Sequence, residues 1–144
     1  MFLTDEELSL IEAAKEYLDA FLSKFGEFLP FAMLMQGNEI IPLEHEVNDI
    51  SSTPTYLINL YEDYFNQERK ANHEYQLGLL CINIFTHSND KEGERNGIEF
   101  RLFGTDYTKM VIQYYSILKN KTVSLGEMIG WDCEEKEVNN ETHR

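Results

Sequence analysis

The chain has 144 residues, of which 42% are hydrophobic and 12% aromatic, and this length and composition predict one folded domain rather than a disordered segment. Its 26 acidic and 12 basic side chains give a formal net charge of -14, and a field of that sign repels nucleic acid phosphates and anionic lipid headgroups. We therefore expect neither nucleic acid nor a membrane surface among its partners.

The first residues and the two cysteines indicate the compartment. The polar run at residues 4–7 begins almost at once, without the basic and apolar regions of a secretion signal. The longest apolar runs have only a few residues, whereas a membrane-spanning helix needs about 20. Cys81 lies in an apolar stretch and Cys133 in a polar one, which favours two reduced thiols over a disulfide framework. We predict a cytoplasmic protein in which Cys81 is a small buried hydrophobe.

The first 43 residues predict a helix and a hairpin. Thr4 and Glu7 have the spacing of a capping box, and apolar residues then recur every three or four positions as far as Gly26, where the first helix is expected to end. In the stretch FLPFAMLMQGNEIIPL, the pair Gly37-Asn38 separates two apolar runs and predicts a tight turn. The two strands of this hairpin are predicted at residues 31–36 and 39–43.

The next two segments predict a second helix and a central strand. Thr53 followed by Pro54 is typical of an N-cap with proline at the first helical position, and this helix is expected to end near Asn72. Residues 75–87 are rich in leucine and isoleucine, with apolar side chains on both alternating faces. We therefore place this strand in the middle of the sheet, where both of its faces are covered.

The last third predicts two more strands and a short helix. A charged loop at 88–97 precedes alternating apolar residues at 98–102, which predict a strand. Residues 107–118 fit helical as well as strand spacing, and we favour a strand because β-branched and aromatic residues dominate and a third strand would protect the edge of the hairpin. A second capping-box spacing predicts a short helix over residues 124–129.

The predicted order is helix, strand, strand, helix, strand, strand, strand and short helix. This order predicts an α+β domain over residues 1–131, in which helices pack on an antiparallel-rich sheet. Residues 132–144 are polar and predict a flexible tail. The order resembles the roadblock, longin and profilin-like architectures, which host many unrelated functions.

A short motif supports a further resemblance. The chain has Phe-x-Pro-Phe-Ala at residues 28–32, a strand at 77–85 and Gly-Ile-Glu-Phe at 97–100, and in these it resembles a family of uncharacterised bacterial proteins with such a hairpin at their start. That resemblance implies no activity. As a small acidic α+β protein without catalytic motifs, the chain also resembles, by analogy, the immunity proteins of bacterial toxin systems, which occupy a toxin's surface or active site.

Few residues carry a signal for chemistry. In Glu44-His45-Glu46 the neighbouring side chains diverge on a strand or a helix, so the three do not converge on one metal ion. His73 and His87 are candidate general bases, but no nucleophile motif lies near either. We predict no catalytic residue, no metal site and no cofactor. A small enzyme with a pocket built from His45, His73 or His87 is kept as an alternative.

The leading hypothesis is a non-catalytic protein-binding module, in its most concrete form an immunity-type protein that neutralises a basic toxin. A second alternative is a homodimeric scaffold or regulatory subunit that pairs through a sheet edge or a helix. Six acidic residues are the candidate partner-binding residues, three on the second helix and three in the long loop: Glu62, Asp63 and Glu68, and Asp90, Glu92 and Glu94. We favour the loop, because exposed connections between strands commonly carry recognition.

Overall fold

A computed structural model describes residues 2–43, 53–87 and 94–133, and over these ranges it shows two helices and six strands. In chain order the elements are α1 (Asp5–Phe25), β1 (Phe31–Gln36), β2 (Glu39–Leu43), α2 (Pro54–Ala71), β3 (Leu77–His87), β4 (Glu94–Phe103), β5 (Thr108–Ile117) and β6 (Val123–Asp132). The predicted α+β class is confirmed. The predicted tail at 132–144 overlaps the last residue of β6, and its residues 134–144 lie outside those described.

The strands form one antiparallel sheet in the order β2-β1-β3-β4-β5-β6. Gly37 has a φ of 63° in the turn between β1 and β2, a left-handed conformation that glycine adopts readily. From β3 onward each strand pairs with the next one along the chain. β3 lies inside the sheet between β1 and β4, as its continuous apolar sequence predicts.

Side-chain alternation along β3 divides the core between the two faces of the sheet. Leu79 and Cys81 pack with residues of α1, whereas Leu80 and Ile82 pack with residues of α2 on the opposite face. Cys81 is fully buried, and this burial raises the pKa of its thiol because a thiolate would lose its hydration. The prediction that Cys81 is a small buried hydrophobe is confirmed.

α1 is fixed at both ends by the residues that its sequence predicts. The Thr4 hydroxyl accepts a hydrogen bond from the Glu7 N–H at 3.1 Å, and the Glu7 carboxylate accepts one from the Thr4 N–H at 2.8 Å. Gly26 ends the helix with a φ of 79°. Glu7 also accepts hydrogen bonds from the Tyr107 hydroxyl and the Lys109 ammonium group, so the capping box fastens the start of α1 to the start of β5.

The C-terminal half of α2 is held on the turn between β4 and β5. Arg69 donates hydrogen bonds from Nη1 to the carbonyl oxygens of Gly104 at 3.3 Å and Tyr107 at 3.1 Å. The Tyr75 hydroxyl donates to the carbonyl oxygen of Phe103 at 2.5 Å. These bonds connect α2 and the residues that follow it to the end of β4 and to the turn between β4 and β5.

The predicted short helix over residues 124–129 is wrong, because these residues belong to β6. β6 pairs with β5, with Ile129 opposite Ile112. Gly126 destabilises a helix by roughly 1 kcal/mol relative to alanine, while β5 offers backbone hydrogen-bonding groups on both sides of one register shift. For residues 107–118, which the sequence leaves between helix and strand, the structure shows the strand β5.

Candidate functional site

The two edge strands of the sheet differ in how they are protected. β2 has five residues, including Pro42, which has no N–H to donate to an incoming strand. β6 has ten residues and contains neither proline nor lysine, two residues that usually block pairing at an edge. Within the described part of the chain, no strand pairs with the outer edge of β6. The backbone of β6 is therefore exposed along this edge, with one shift in its pairing register opposite Tyr114.

The side chains of β6 are exposed and mostly uncharged. The exposed fraction is 46% for Leu125, 37% for Met128 and 43% for Ile129. Glu127 is the one charged residue between positions 123 and 131, although the whole chain has a net charge of -14. A long edge strand with few charged residues is a place where sheets commonly extend by adding a strand.

Part of the sheet face beside β6 is also uncovered. The register of pairing places Met110 opposite both Arg101 and Trp131, and Ile112 opposite Ile129, so these side chains share one face. Arg101 on β4 forms an ion pair with Glu62 on α2, so α2 covers this face of the sheet as far as β4. Beyond it, Met110, Ile112 and Trp131 are only half-buried. The apolar surface of β6 therefore continues onto β5.

An ion cluster marks the border between α2 and this uncovered face. The Arg101 guanidinium donates hydrogen bonds to the carboxylates of Glu99 on β4 and Glu62 on α2. Burial alone would lower the pKa of Arg101, but the two carboxylates outweigh it and the pKa is raised. Glu62, one of the predicted partner-binding residues, is thus engaged inside the molecule.

The other predicted partner-binding residues lie on different parts of the chain. Asp63 is exposed on α2, whereas Glu68 is half-buried and accepts a hydrogen bond at 3.1 Å from the side chain of the C-cap residue. Glu94 is the first residue of β4, opposite the last residue of β3. Asp90 and Glu92 lie outside the described residues. Of the three acids predicted on α2, Asp63 is the one that the helix presents to solvent.

Two of the three histidines of the enzyme alternative lie in the described residues. His73 is exposed in the turn after α2, and His87 is the last residue of β3. Residues 44–46, with His45 at their centre, lie outside the described ranges. Over residues 2–43, 53–87 and 94–133, no three His, Cys, Asp or Glu side chains are grouped as metal ligands.

A pocket of about 640 Å³ lies where the C-terminal end of α1 meets the sheet. Glu27 and Asn83 contribute polar groups to it. Most of the wall is apolar and includes four aromatic rings, those of Phe21, Phe25, Phe28 and Phe31. Its volume falls in the range of roughly 300–1,000 Å³ that is typical of ligand-binding clefts. We call it the phenylalanine pocket.

The polar groups of the phenylalanine pocket lie close to one another. The Asn83 carbonyl oxygen accepts a hydrogen bond from the Tyr115 hydroxyl at 2.8 Å. Burial raises the pKa of Tyr115, and the nearby Glu27 carboxylate raises it as well. At the rim, Phe25 is 63% exposed and the Lys24 ammonium group lies 5.3 Å from the centre of its ring. The pocket therefore combines aromatic rings with one carboxylate and one amide.

Neither surface follows directly from the sequence patterns. Four phenylalanines within residues 21–31 are a signal for the pocket, but the same residues fit the apolar stripe of α1 and the start of a hairpin. The scarcity of charged residues from 123 to 131 is a signal for the exposed apolar strand β6. The capping-box spacing of Ser124 and Glu127 favours a helix over the same residues and so points to the wrong element. Both signals become specific only once the sheet order is known.

Comparison of the chain with protein-family models, curated proteins and solved structures gives no match. Neither of the helices in the described residues has the length and apolar character needed to cross a membrane. In the described residues the chain is an α+β domain with an exposed ten-residue edge strand and a separate aromatic pocket.

Proposed function

We propose that this chain is a non-catalytic protein-binding module that docks its partner along β6. The observation that carries the proposal is the exposed ten-residue edge of β6, in a domain whose other edge is short and contains proline. Pairing of the backbone with an incoming strand would give affinity, and contacts with Leu125, Met128 and Ile129 would give specificity. The half-buried apolar side chains of β5 enlarge the same surface.

The partner is proposed to be a basic protein, and most concretely a toxin that this chain neutralises. A net charge of -14 accelerates the encounter with a basic partner and orients it. Asp63 supports this role because it is exposed on α2. Asp90, Glu92 and Glu94 keep their proposed role as the charged contact in the connection between β3 and β4.

A homodimeric scaffold is the second candidate. An antiparallel pair of identical strands obeys two-fold symmetry, so β6 can pair with β6 of a second copy. The order of elements supports this candidate, since the resemblance to roadblock-like architectures rests on an order of helix, two strands, helix and three strands. Mutual repulsion between two chains of charge -14 opposes this arrangement, and for that reason a basic partner is the first choice.

Replacing Ile129 by lysine tests the use of β6, because a lysine on an edge strand is a natural block to pairing. Ile41→Lys on β2 is the matched control, since Ile41 is 36% exposed and Ile129 is 43% exposed. With the wild-type chain as bait in a lysate of its native cell, we expect a basic protein to be retained. Ile129→Lys is expected to weaken the affinity for that purified protein at least about tenfold, and Ile41→Lys to leave it unchanged.

Light scattering of the purified chain separates the two candidates. The module is expected to be a monomer before it meets its partner. A dimer that Ile129→Lys dissociates and Ile41→Lys preserves would favour the scaffold. Equal partner affinity of Ile129→Lys and the wild-type chain, together with a monomeric wild type, would contradict any use of the β6 edge.

Salt dependence tests the electrostatic part separately. The association rate is expected to fall as salt rises above about 0.15 M, where the screening length is about 8 Å, while the dissociation rate stays nearly constant. Asp63→Lys, or joint reversal of Asp90, Glu92 and Glu94, is expected to slow association on whichever surface approaches the partner. An acidic partner, or an association rate that neither salt nor either reversal changes, would contradict the electrostatic role. The net charge would then serve solubility alone.

A further inference from the structure

The phenylalanine pocket is built from α1, the connection between α1 and β1, the start of β1, β3 and the start of α2, and it shares no lining residue with β6. We propose that this pocket receives a lysine- or arginine-bearing segment of the basic partner. The alkyl stem lies on the phenylalanine rings and the cationic head lies at Glu27. The class of partner rests on the proposed function. Because the pocket and β6 are separate surfaces, an experiment can contradict one of the two proposals and support the other.

The rings of the pocket present the surface that a cationic side chain prefers. Phe21 and Phe31 are arranged edge to face, with centroids 6.3 Å apart, and Phe25 is largely exposed at the rim. The face of an aromatic ring is negative and attracts ammonium and guanidinium groups. Lys24 already lies over Phe25 in this way, which shows that the face of this rim ring accommodates an ammonium group.

The polar groups of the pocket also select a cation over an anion. Glu27 supplies a carboxylate, while Pro54 in the wall has no N–H to donate. At the same helix end, the Tyr56 N–H donates to the Thr53 hydroxyl at 3.2 Å. With the overall negative charge of the chain, these features favour a cationic ligand.

The size and the remaining amide fit a peptide segment rather than a lone ion. Lysine and arginine lay their apolar stems along hydrophobic surfaces while the charged head stays at a polar partner. Asn83 accepts from Tyr115 through its carbonyl oxygen. Its amide group also carries two N–H donors, the kind of donor that binds a peptide carbonyl. A volume of about 640 Å³ has room for one such side chain together with its neighbours.

Two matched small molecules test the proposal: n-hexylammonium, which carries an alkyl stem and a cation, and 1-hexanol, which carries the stem alone. Titrations of the full chain are followed by NMR of the phenylalanine rings. We expect saturable shifts at Phe21, Phe25 and Phe31, with n-hexylammonium binding about two- to fivefold more tightly than 1-hexanol, as for an exposed ion pair. Glu27→Gln is expected to abolish this preference, and Glu16→Gln, an exposed acid elsewhere on α1, to preserve it.

Phe25→Ala is expected to weaken both probes, and Phe2→Ala to change neither. Phe2 is the matched control because it is 42% exposed and has the Lys109 ammonium group 5.0 Å from its ring. Equal binding of the two probes, a preference that survives Glu27→Gln, or no saturation at all would overturn the proposal. Because Ile129→Lys leaves the pocket intact, its effect on the partner reports on β6 alone.

Discussion

Replacing Glu7 by glutamine is expected to lower the free energy of unfolding by about 2–3 kcal/mol, although the change removes only a charge and keeps the shape. The Glu7 side chain is fully buried. Its carboxylate accepts hydrogen bonds from the Thr4 N–H at 2.8 Å, the Tyr107 hydroxyl at 2.5 Å and the Lys109 ammonium group at 2.8 Å. This one group joins the start of α1 to β5 across about a hundred residues of sequence.

The magnitude follows from what each partner retains. Hydrogen bonds to charged groups contribute roughly 1.5–3 kcal/mol each, and removing one member of a buried ion pair costs roughly 3–5 kcal/mol. The loss here is smaller than that upper range, because the Lys109 side chain is 16% exposed and also donates to the Phe2 carbonyl oxygen at 2.8 Å. Glutamine also keeps an oxygen for the Thr4 N–H.

The effect of Glu7→Gln is expected to depend on pH. Burial, the largest influence, raises the pKa of Glu7, but hydrogen bonds from Lys109, Tyr107 and Thr4 together bring it below its ordinary value. A pKa that is lower in the folded than in the unfolded chain stabilises the fold above the unfolded value of about 4.3. That contribution disappears as the pH falls through the folded-state pKa, so the difference between wild type and variant should shrink in acid.

Urea denaturation at pH 7 and at a series of lower pH values measures this difference. Glu6→Gln is the matched control, because Glu6 is an exposed neighbour in the same helical turn, and it is expected to change stability by less than about 0.5 kcal/mol. A double-mutant cycle with Lys109→Met should show a coupling of about 1 kcal/mol or more. A loss below about 0.5 kcal/mol for Glu7→Gln at pH 7, or no coupling, would refute the assigned role.

Two further predictions concern the core of β3. Gly78→Ala is expected to lower the free energy of unfolding, measured by urea denaturation, by about 1–3 kcal/mol, because its Cβ would lie 2.4 Å from the buried ring of Phe65. Gly126→Ala on β6 is the control: its Cβ would make only ordinary contacts, and its stability should stay within about 0.5 kcal/mol of wild type. Equal effects of the two changes would contradict the packing described for α2. The Cys81 thiol is expected to resist alkylation at pH 8 in the native chain and to react in urea, since it is fully buried and burial raises its pKa. Mass spectrometry assigns the labelled cysteine, and rapid labelling of Cys81 in the native chain would show that β3 opens.

Local chemistry explains why much of the fold is predictable from the sequence. Thr4 and Gly26 bound α1 because each satisfies backbone groups within a few residues of itself, and such contacts can be read from spacing alone. Gly37 specifies its turn for the same reason. The interior position of β3 follows from apolar side chains on both of its faces, which only a doubly covered strand can bury.

The error at β6 shows where local chemistry loses to tertiary structure. Ser124 and Glu127 have the spacing of a helix start, but the strand pairs with β5 on both sides of one register shift. This pairing cannot be predicted until β5 itself is known to be a strand. The candidate sites depend on distant contacts in the same way. The sequence predicts Glu62 as an acid that faces solvent, but it forms an ion pair with Arg101 on β4.

Charge and apolar surface occupy different parts of this molecule, and this separation has a kinetic consequence. The acidic surface includes Asp63 on α2, whereas β6 has two charged residues, Glu127 and Asp132, and the lining of the phenylalanine pocket has one, Glu27. Long-range attraction raises the rate of encounter, while buried apolar anchors set how long a complex lasts. Reversing Asp63 should therefore act mainly on the association rate, and Ile129→Lys mainly on the dissociation rate. If both changes altered the same rate constant, the division of labour between the charged and apolar surfaces would not hold.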